Sequence, residues 1–146
     1  MSNMVERDRR HGAGATTWYF PDGDRPPTNG GPIEAHESLM ILNVSHRTAN
    51  VEIDLYWTDK EPTLAIEVEV PAERVRCLRV PWFDYPADAE RVEVPTRTQY
   101  AMRVRSDIPV VCQYGRLEVV PSYALYTTMG FVDPHDTVER EAEHVA

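Results

Sequence analysis

The feature that most constrains the fold is a hydrophobic period of two. Val51, Ile53, Leu55 and Trp57 alternate with Asn50, Glu52, Asp54 and Tyr56. Leu64, Ile66, Val68 and Val70 alternate with Ala65, Glu67 and Glu69. Thr98, Tyr100, Met102 and Val104 alternate with Arg97, Gln99, Ala101, Arg103 and Arg105. Successive side chains on a strand point to opposite faces, so this pattern predicts strands with one buried and one wet face. Residues 38–42 and 109–112 are apolar at consecutive positions and read as central strands covered on both sides. Residues 16–20 fit a first strand and 123–131 a last one. Turn chemistry separates these runs at Pro21-Asp22-Gly23, Asn29-Gly30-Gly31-Pro32, Asp59-Lys60-Glu61-Pro62 and Ser106-Asp107. About seven to nine short strands at this spacing predict an all-β fold, an antiparallel β-sandwich of jelly-roll-like form.

The alternation stops at both ends of the chain, which divides its 146 residues into a body and two tails. Residues 1–13 carry Arg7, Arg9 and Arg10 against Glu6 and Asp8, without periodicity, and read as a flexible N-terminal arm. Residues 14–132 form the sandwich. Residues 133–146 form an acidic tail in which Asp133, Pro134 and Asp136 read as an N-cap, a first-turn proline and a first-turn acid. Val138, Ala142 and Val145 then make a thin apolar stripe, so a short C-terminal helix is expected there.

Charge and motifs exclude several functions. A formal net charge of -9 opposes non-specific binding of nucleic acid. Arg74, Arg76, Arg97, Arg103 and Arg105 are expected on solvated faces, and DNA binding would require those faces to segregate from the acidity. No apolar run reaches the ~18 residues of a membrane span, and Met1 to Arg10 is too charged for a signal peptide. Cys77 and Cys112 form no CxxC and lie in apolar runs, which predicts buried free thiols in a reducing cytoplasm. P-loop, GxGxxG, GxSxG and HExxH signatures are absent, and the five histidines lack metal-ligand spacing. The expectation is a non-enzymatic protein without metal or cofactor.

The chemistry-bearing positions cluster around one strand. His36 and Glu37 are adjacent and would face opposite ways, so they do not make an acid–base pair. An inward Glu37 needs a partner, because an unpaired buried charge is very costly. Arg79 shares parity with Val75 and Cys77, and Arg116 with Val110, Cys112 and Tyr114, so both arginines are expected to point inward. Such a set is either the floor of a polar pocket or a structural ion-pair network. Gly115 would mark a bulge that re-aims Arg116. Asn43 either joins the site or starts a turn within the sequon Asn43-Val44-Ser45, and Trp18, Tyr19 and Trp57 offer a platform for a sugar ring.

An ordered series of motifs resembles the sensory rhodopsin transducer family. It comprises Trp18, His36-Glu37 leading into Ile41-Leu42-Asn43, and Tyr56-Trp57-Thr58-Asp59-Lys60-Glu61-Pro62. It continues through Val70-Pro71-Ala72-Glu73-Arg74 to Arg79, then Ser106-Asp107-Ile108-Pro109-Val110-Val111, Gln113 and Arg116-Leu117-Glu118. The likeness spans residues 16–128. Glu118 departs from it, standing where an aspartate is more usual, and both tails are extensions. The resemblance implies a small soluble β-sandwich that assembles as a cyclic homotetramer and either binds a sugar-like small molecule or relays a signal. The alternative is a protein–protein interaction module that docks a membrane receptor without a small ligand. The matched polar positions, and so the implied ligand site, are Trp18, His36, Glu37, Asn43, Arg79, Gln113 and Arg116.

Overall fold

In a computed structural model, which describes residues 12–80 and 92–135, the chain is an antiparallel β-sandwich. Its strands are β1 (Ala15–Asp24), β2 (His36–Asn43), β3 (Ala49–Trp57), β4 (Thr63–Val70), β5 (Arg74–Val80), β6 (Gln99–Glu118), β7 (Ala124–Met129) and β8 (Phe131–Val132). Sheet A runs β4-β3-β6-β1-β8, and sheet B runs β5-β2-β6-β7. The N-terminal arm and most of the acidic tail lie outside the described residues. At the start of that tail the His135 amide donates to Asp133 Oδ1 at 2.9 Å, and the expected C-terminal helix beyond it falls outside the described residues.

β6 organises the molecule. Its first half pairs with β3 and β1 in sheet A, and its second half pairs with β2 and β7 in sheet B. The expected turn at Ser106-Asp107 is therefore a corner inside one continuous strand, where the chain leaves one sheet for the other. Trp18 pins this corner, its indole nitrogen donating to the carbonyls of Ala15 and Val110. Alternate residues of both sheets meet between them: Leu39 and Ile41 from sheet B, and Val51, Ile53, Leu55 and Met102 from sheet A, are all buried. Each such side chain stabilises the fold by roughly 1.5–3 kcal/mol on leaving water.

Other departures from the sequence pattern are bulges. Pro21 and Asp22 together face Ala101, between the pairs Phe20–Met102 and Gly23–Tyr100, so the expected turn is a bulge within β1. Gly23 then lies against the Tyr100 ring, where a Cβ would come within 2.5 Å of it. Leu64 and Ala65 similarly face Asp54, and this bulge resets the parity of β4, leaving Leu64 exposed while Ile66, Val68 and Val70 remain inside. Ala65 takes a φ of 59° there, which aims its amide at Asp54 Oδ1, 2.9 Å away. Gly115 is no bulge: its pairing with Ser38 and Thr127 continues unbroken to Glu37–Arg116.

The outer faces of the two sheets differ in kind. Sheet A presents Glu52, Glu67, Glu69, Arg103 and Arg105, the wet face the alternation predicted. Asp54 is the exception, a fully buried carboxylate covered by Arg103 and Arg105 at 2.8–3.1 Å. Burial acts to raise its pKa, but hydrogen bonds from Arg105, the Ala65 amide and Arg103 outweigh it and hold the carboxyl below its usual range. Sheet B instead presents Val75, Leu42 and Val111 in one cross-strand row and Cys77, Met40, Gln113 and Met129 in the next.

Candidate functional site

β2 directs Glu37 inward, on the same face as Leu39 and Ile41, and leaves it without solvent exposure. A bare carboxylate there would cost several kcal/mol, so its partners matter. Three donors converge on Oε2: the Asp24 amide at 3.0 Å, the Tyr100 hydroxyl at 2.9 Å and the Tyr114 hydroxyl. Each comes from a feature described above. The β1 bulge brings Asp24, and the inward parity of the two halves of β6 brings the tyrosines. Oε1 has no hydrogen-bond partner.

Arg116 lies directly opposite Glu37 in the β2–β6 register. Its side chain is only 15% exposed, and its Nη1 is buried without a hydrogen-bond partner. The guanidinium also interacts with the Tyr114 hydroxyl, with Nη2 3.7 Å from Asp22, Nε 3.7 Å from Glu118 and the central carbon 5.4 Å over the Tyr126 ring. Burial pushes the Glu37 carboxyl above its usual range, against the opposing pull of Tyr114, Tyr100, the Asp24 amide and Arg116. Burial and the neighbouring carboxylate push both tyrosine hydroxyls upward, so they stay protonated donors. The site therefore combines fixed donors with one free acceptor, Glu37 Oε1, and one free donor, Arg116 Nη1. A hydroxyl group or a water molecule has the donor and acceptor capacity to complete both.

Of the seven residues implied by the resemblance, the fold brings Glu37 and Arg116 together. Arg79 does not point inward: Leu78 and Val80 take the core side of β5, leaving Arg79, Val75 and Cys77 exposed. The expected burial of Cys77 is likewise corrected, whereas Cys112 is buried and its thiol is pushed up to about 12. Gln113 is on the outer face of sheet B, on the opposite side of β6 from Arg116. His36 also faces away from Glu37, its Nδ1 3.0 Å from the Glu34 carbonyl.

Asn43 is buried at the far end of β2, six residues and about 20 Å along the strand from Glu37. Its amide donates to the carbonyls of Arg47, Val70 and Pro71, while its oxygen accepts from the Ser45 amide and hydroxyl. It is a fastener for the β2–β3 turn. Trp18 is core, and Tyr19 faces the other way, so these rings and Trp57 build no shared platform. Trp57 instead stacks under Lys60, 4.2 Å from its centroid, and packs beside Tyr100.

Tyr100, Tyr114 and Asp22 were not singled out from sequence as site residues. The usable signal was that a buried tyrosine hydroxyl needs a partner, and Tyr114 shares parity with Arg116. An open groove of about 1010 Å3 lies elsewhere, along Glu52, Glu67, Glu69, Arg76 and Arg105 of sheets A and B. Its arginines are already engaged, Arg105 with Glu52 and Asp54 and Arg76 with the Glu69 carbonyl, so the buried Glu37–Arg116 centre is the stronger candidate.

The fold and site define a small β-sandwich with a buried acid–arginine centre at one end. Residues 13–132 match the family model described as Anabaena sensory rhodopsin transducer, and the chain belongs to that family. It is similar to a crystal structure of Thermotoga maritima 1070, with 33% identity over 82% of this chain and 96% of that one, at a TM-score of 0.71. It is also similar to the Anabaena sensory rhodopsin transducer itself, with 34% identity over 75% of this chain and 94% of that one, at a TM-score of 0.58. No curated protein matches the sequence. Among the described residues no helix is long and apolar enough to cross a membrane.

Proposed function

We propose that the protein is a non-enzymatic, cytoplasmic relay domain whose Glu37–Arg116 centre binds a sugar-like small molecule and whose working form is a homotetramer. The observation that carries the ligand reading is the pair of buried, unpartnered atoms of opposite character, Glu37 Oε1 and Arg116 Nη1. A ligand hydroxyl can donate to the first and accept from the second. The exposed carboxylates of Asp22 and Glu118 then form the rim. The relay reading is supported by family membership and by the rhodopsin transducer among the similar structures.

The test is a thermal-shift titration of the full chain against sugars, sugar acids and sugar phosphates. A ligand at 100 times its dissociation constant adds about 2.7 kcal/mol to the folded state. The expected result is a saturable rise with one chemical class, lost in a folded Arg116→Met variant. A flat panel refutes the ligand and favours the second reading, a module that docks a membrane receptor directly. That reading is favoured by the likeness to the Anabaena sensory rhodopsin transducer.

A further inference from the structure

An arginine beside a ligand usually signals an anion, because its planar fork matches carboxylate and phosphate. At the Glu37–Arg116 centre the charges point the other way. Arg116 stands opposite Glu37 in the β2–β6 register, and Asp22 and Glu118 lie 3.7 Å from its Nη2 and Nε. Three carboxylates therefore surround one guanidinium. Among the described residues, Arg116 is the only cation within ion-pair distance of Asp22 or Glu118. Asp22 also accepts from the Gln99 amide at 3.2 Å, a donor that brings no charge.

The two rim carboxylates are open where the centre is closed. The Asp22 side chain is 55% exposed and that of Glu118 41%, against 15% for Arg116. At 3.7 Å from the guanidinium both stand beyond ordinary hydrogen-bond distance, which leaves lone pairs for a ligand. The guanidinium nitrogens are rigidly joined, so both carboxylates fall within about 6 Å of Nη1. Substituents of one hexose ring span that distance.

From this arrangement we infer that the centre selects its ligand by charge, taking a cationic hydroxylated compound, an amino sugar or amino polyol, over the neutral parent and against sugar acids and sugar phosphates. The inference rests on the ligand reading of the proposed function and names the class of ligand. A hydroxyl completes Glu37 Oε1 and Arg116 Nη1, and an ammonium group elsewhere on the same molecule donates to Asp22 and Glu118. A carboxylate or phosphate drawn to Arg116 would instead enter among like charges, and the low dielectric of a buried site strengthens that repulsion. The balance keeps its sign when Glu37 is protonated, with two carboxylates against one guanidinium. The net charge of -9 adds a longer-range field that draws cations and turns anions away.

The test is a thermal-shift titration of the full chain at neutral pH with the gluco, galacto and manno hexoses. Each is supplied as the amine, the N-acetyl amine, the parent sugar and the uronic acid. The amine of one series is expected to bind about tenfold tighter than its parent and N-acetyl forms, since each exposed ion pair contributes a few-fold. Its uronic acid should give no shift. Salt at about 0.5 M should erase most of the preference by screening the rim. Asp22→Asn combined with Glu118→Gln, which stays folded because both side chains are exposed, should bind amine and parent alike. Glu67→Gln with Glu69→Gln removes the same charge from the groove on sheet A and should keep the preference. A parent sugar or uronic acid that binds as tightly as the amine overturns the charge inference and leaves the ligand reading standing. So does an amine preference that survives the rim variant or vanishes in the groove variant. A panel that is flat in every charge form overturns both.

Discussion

Replacing Arg116 with methionine tests the central electrostatic argument. Methionine keeps much of the aliphatic stem and removes the guanidinium, which lies over the Tyr126 ring and brings a positive charge to the position opposite Glu37. Breaking a buried pair by removing one partner costs about 3–5 kcal/mol. The cost here falls below that range, because Arg116 makes no direct contact with Glu37 and acts on it through space, while Tyr100, Tyr114 and the Asp24 amide hold the carboxylate directly. The 3.7 Å contacts with exposed Asp22 and Glu118 add well under 1 kcal/mol each. The expected loss is therefore about 2 kcal/mol at pH 8, or about 6 °C in melting temperature for a domain of this size. The loss should shrink toward pH 5, because Glu37 can then take up a proton and no longer needs a cation. Urea denaturation at the two pH values measures it. A loss below about 1 kcal/mol, or one equal at both pH values, would refute a buried carboxylate that depends on Arg116.

Three further outcomes follow from the same geometry. Glu37 has a folded pKa above its unfolded value of 4.5, so its contribution to stability is full below that value and is lost as pH rises through the folded pKa. Glu37→Gln should thus gain on the wild type as pH increases, and a constant difference from pH 4 to 8 would contradict this. Asp54 has the opposite sign: its pKa is depressed below 3.8, so its contribution is present above that value and is lost as pH falls through the folded pKa. Asp54→Asn sets an amide donor against two guanidinium groups and should cost about 2–3 kcal/mol at neutral pH after discount for their exposure, with the gap closing in acid melts. Gly23→Ala forces a Cβ to within 2.5 Å of the Tyr100 ring; overpacking of about 1–3 kcal/mol is expected, and a tyrosine fluorescence unchanged from wild type would count against the contact.

Period-two alternation depends on local geometry, and it located β3, the core half of β4 and the first half of β6 because a half-buried strand writes its environment into every second residue. The same reasoning set Glu37 and His36 on opposite faces of β2. It failed on Arg79, because β5 buries Leu78 and Val80 rather than the parity of Val75 and Cys77. The two parities of Arg74–Val80 are equally rich in apolar residues. Only pairing with β2 chooses between them.

By itself the sequence determined the all-β class, the opposition of His36 and Glu37 and the pairing of Arg116 with an apolar parity, since all three follow from side chains that alternate along a strand. Tertiary structure decided what those residues meet. The bulge at Pro21-Asp22 delivers the Asp24 amide, the corner in β6 lets one strand supply Tyr100 from one sheet and Tyr114 from the other, and the register opposes Glu37 to Arg116. A bulge shifts parity by one residue and a corner exchanges one sheet for another. Both are set by contacts between segments distant in the chain, so no local period records them.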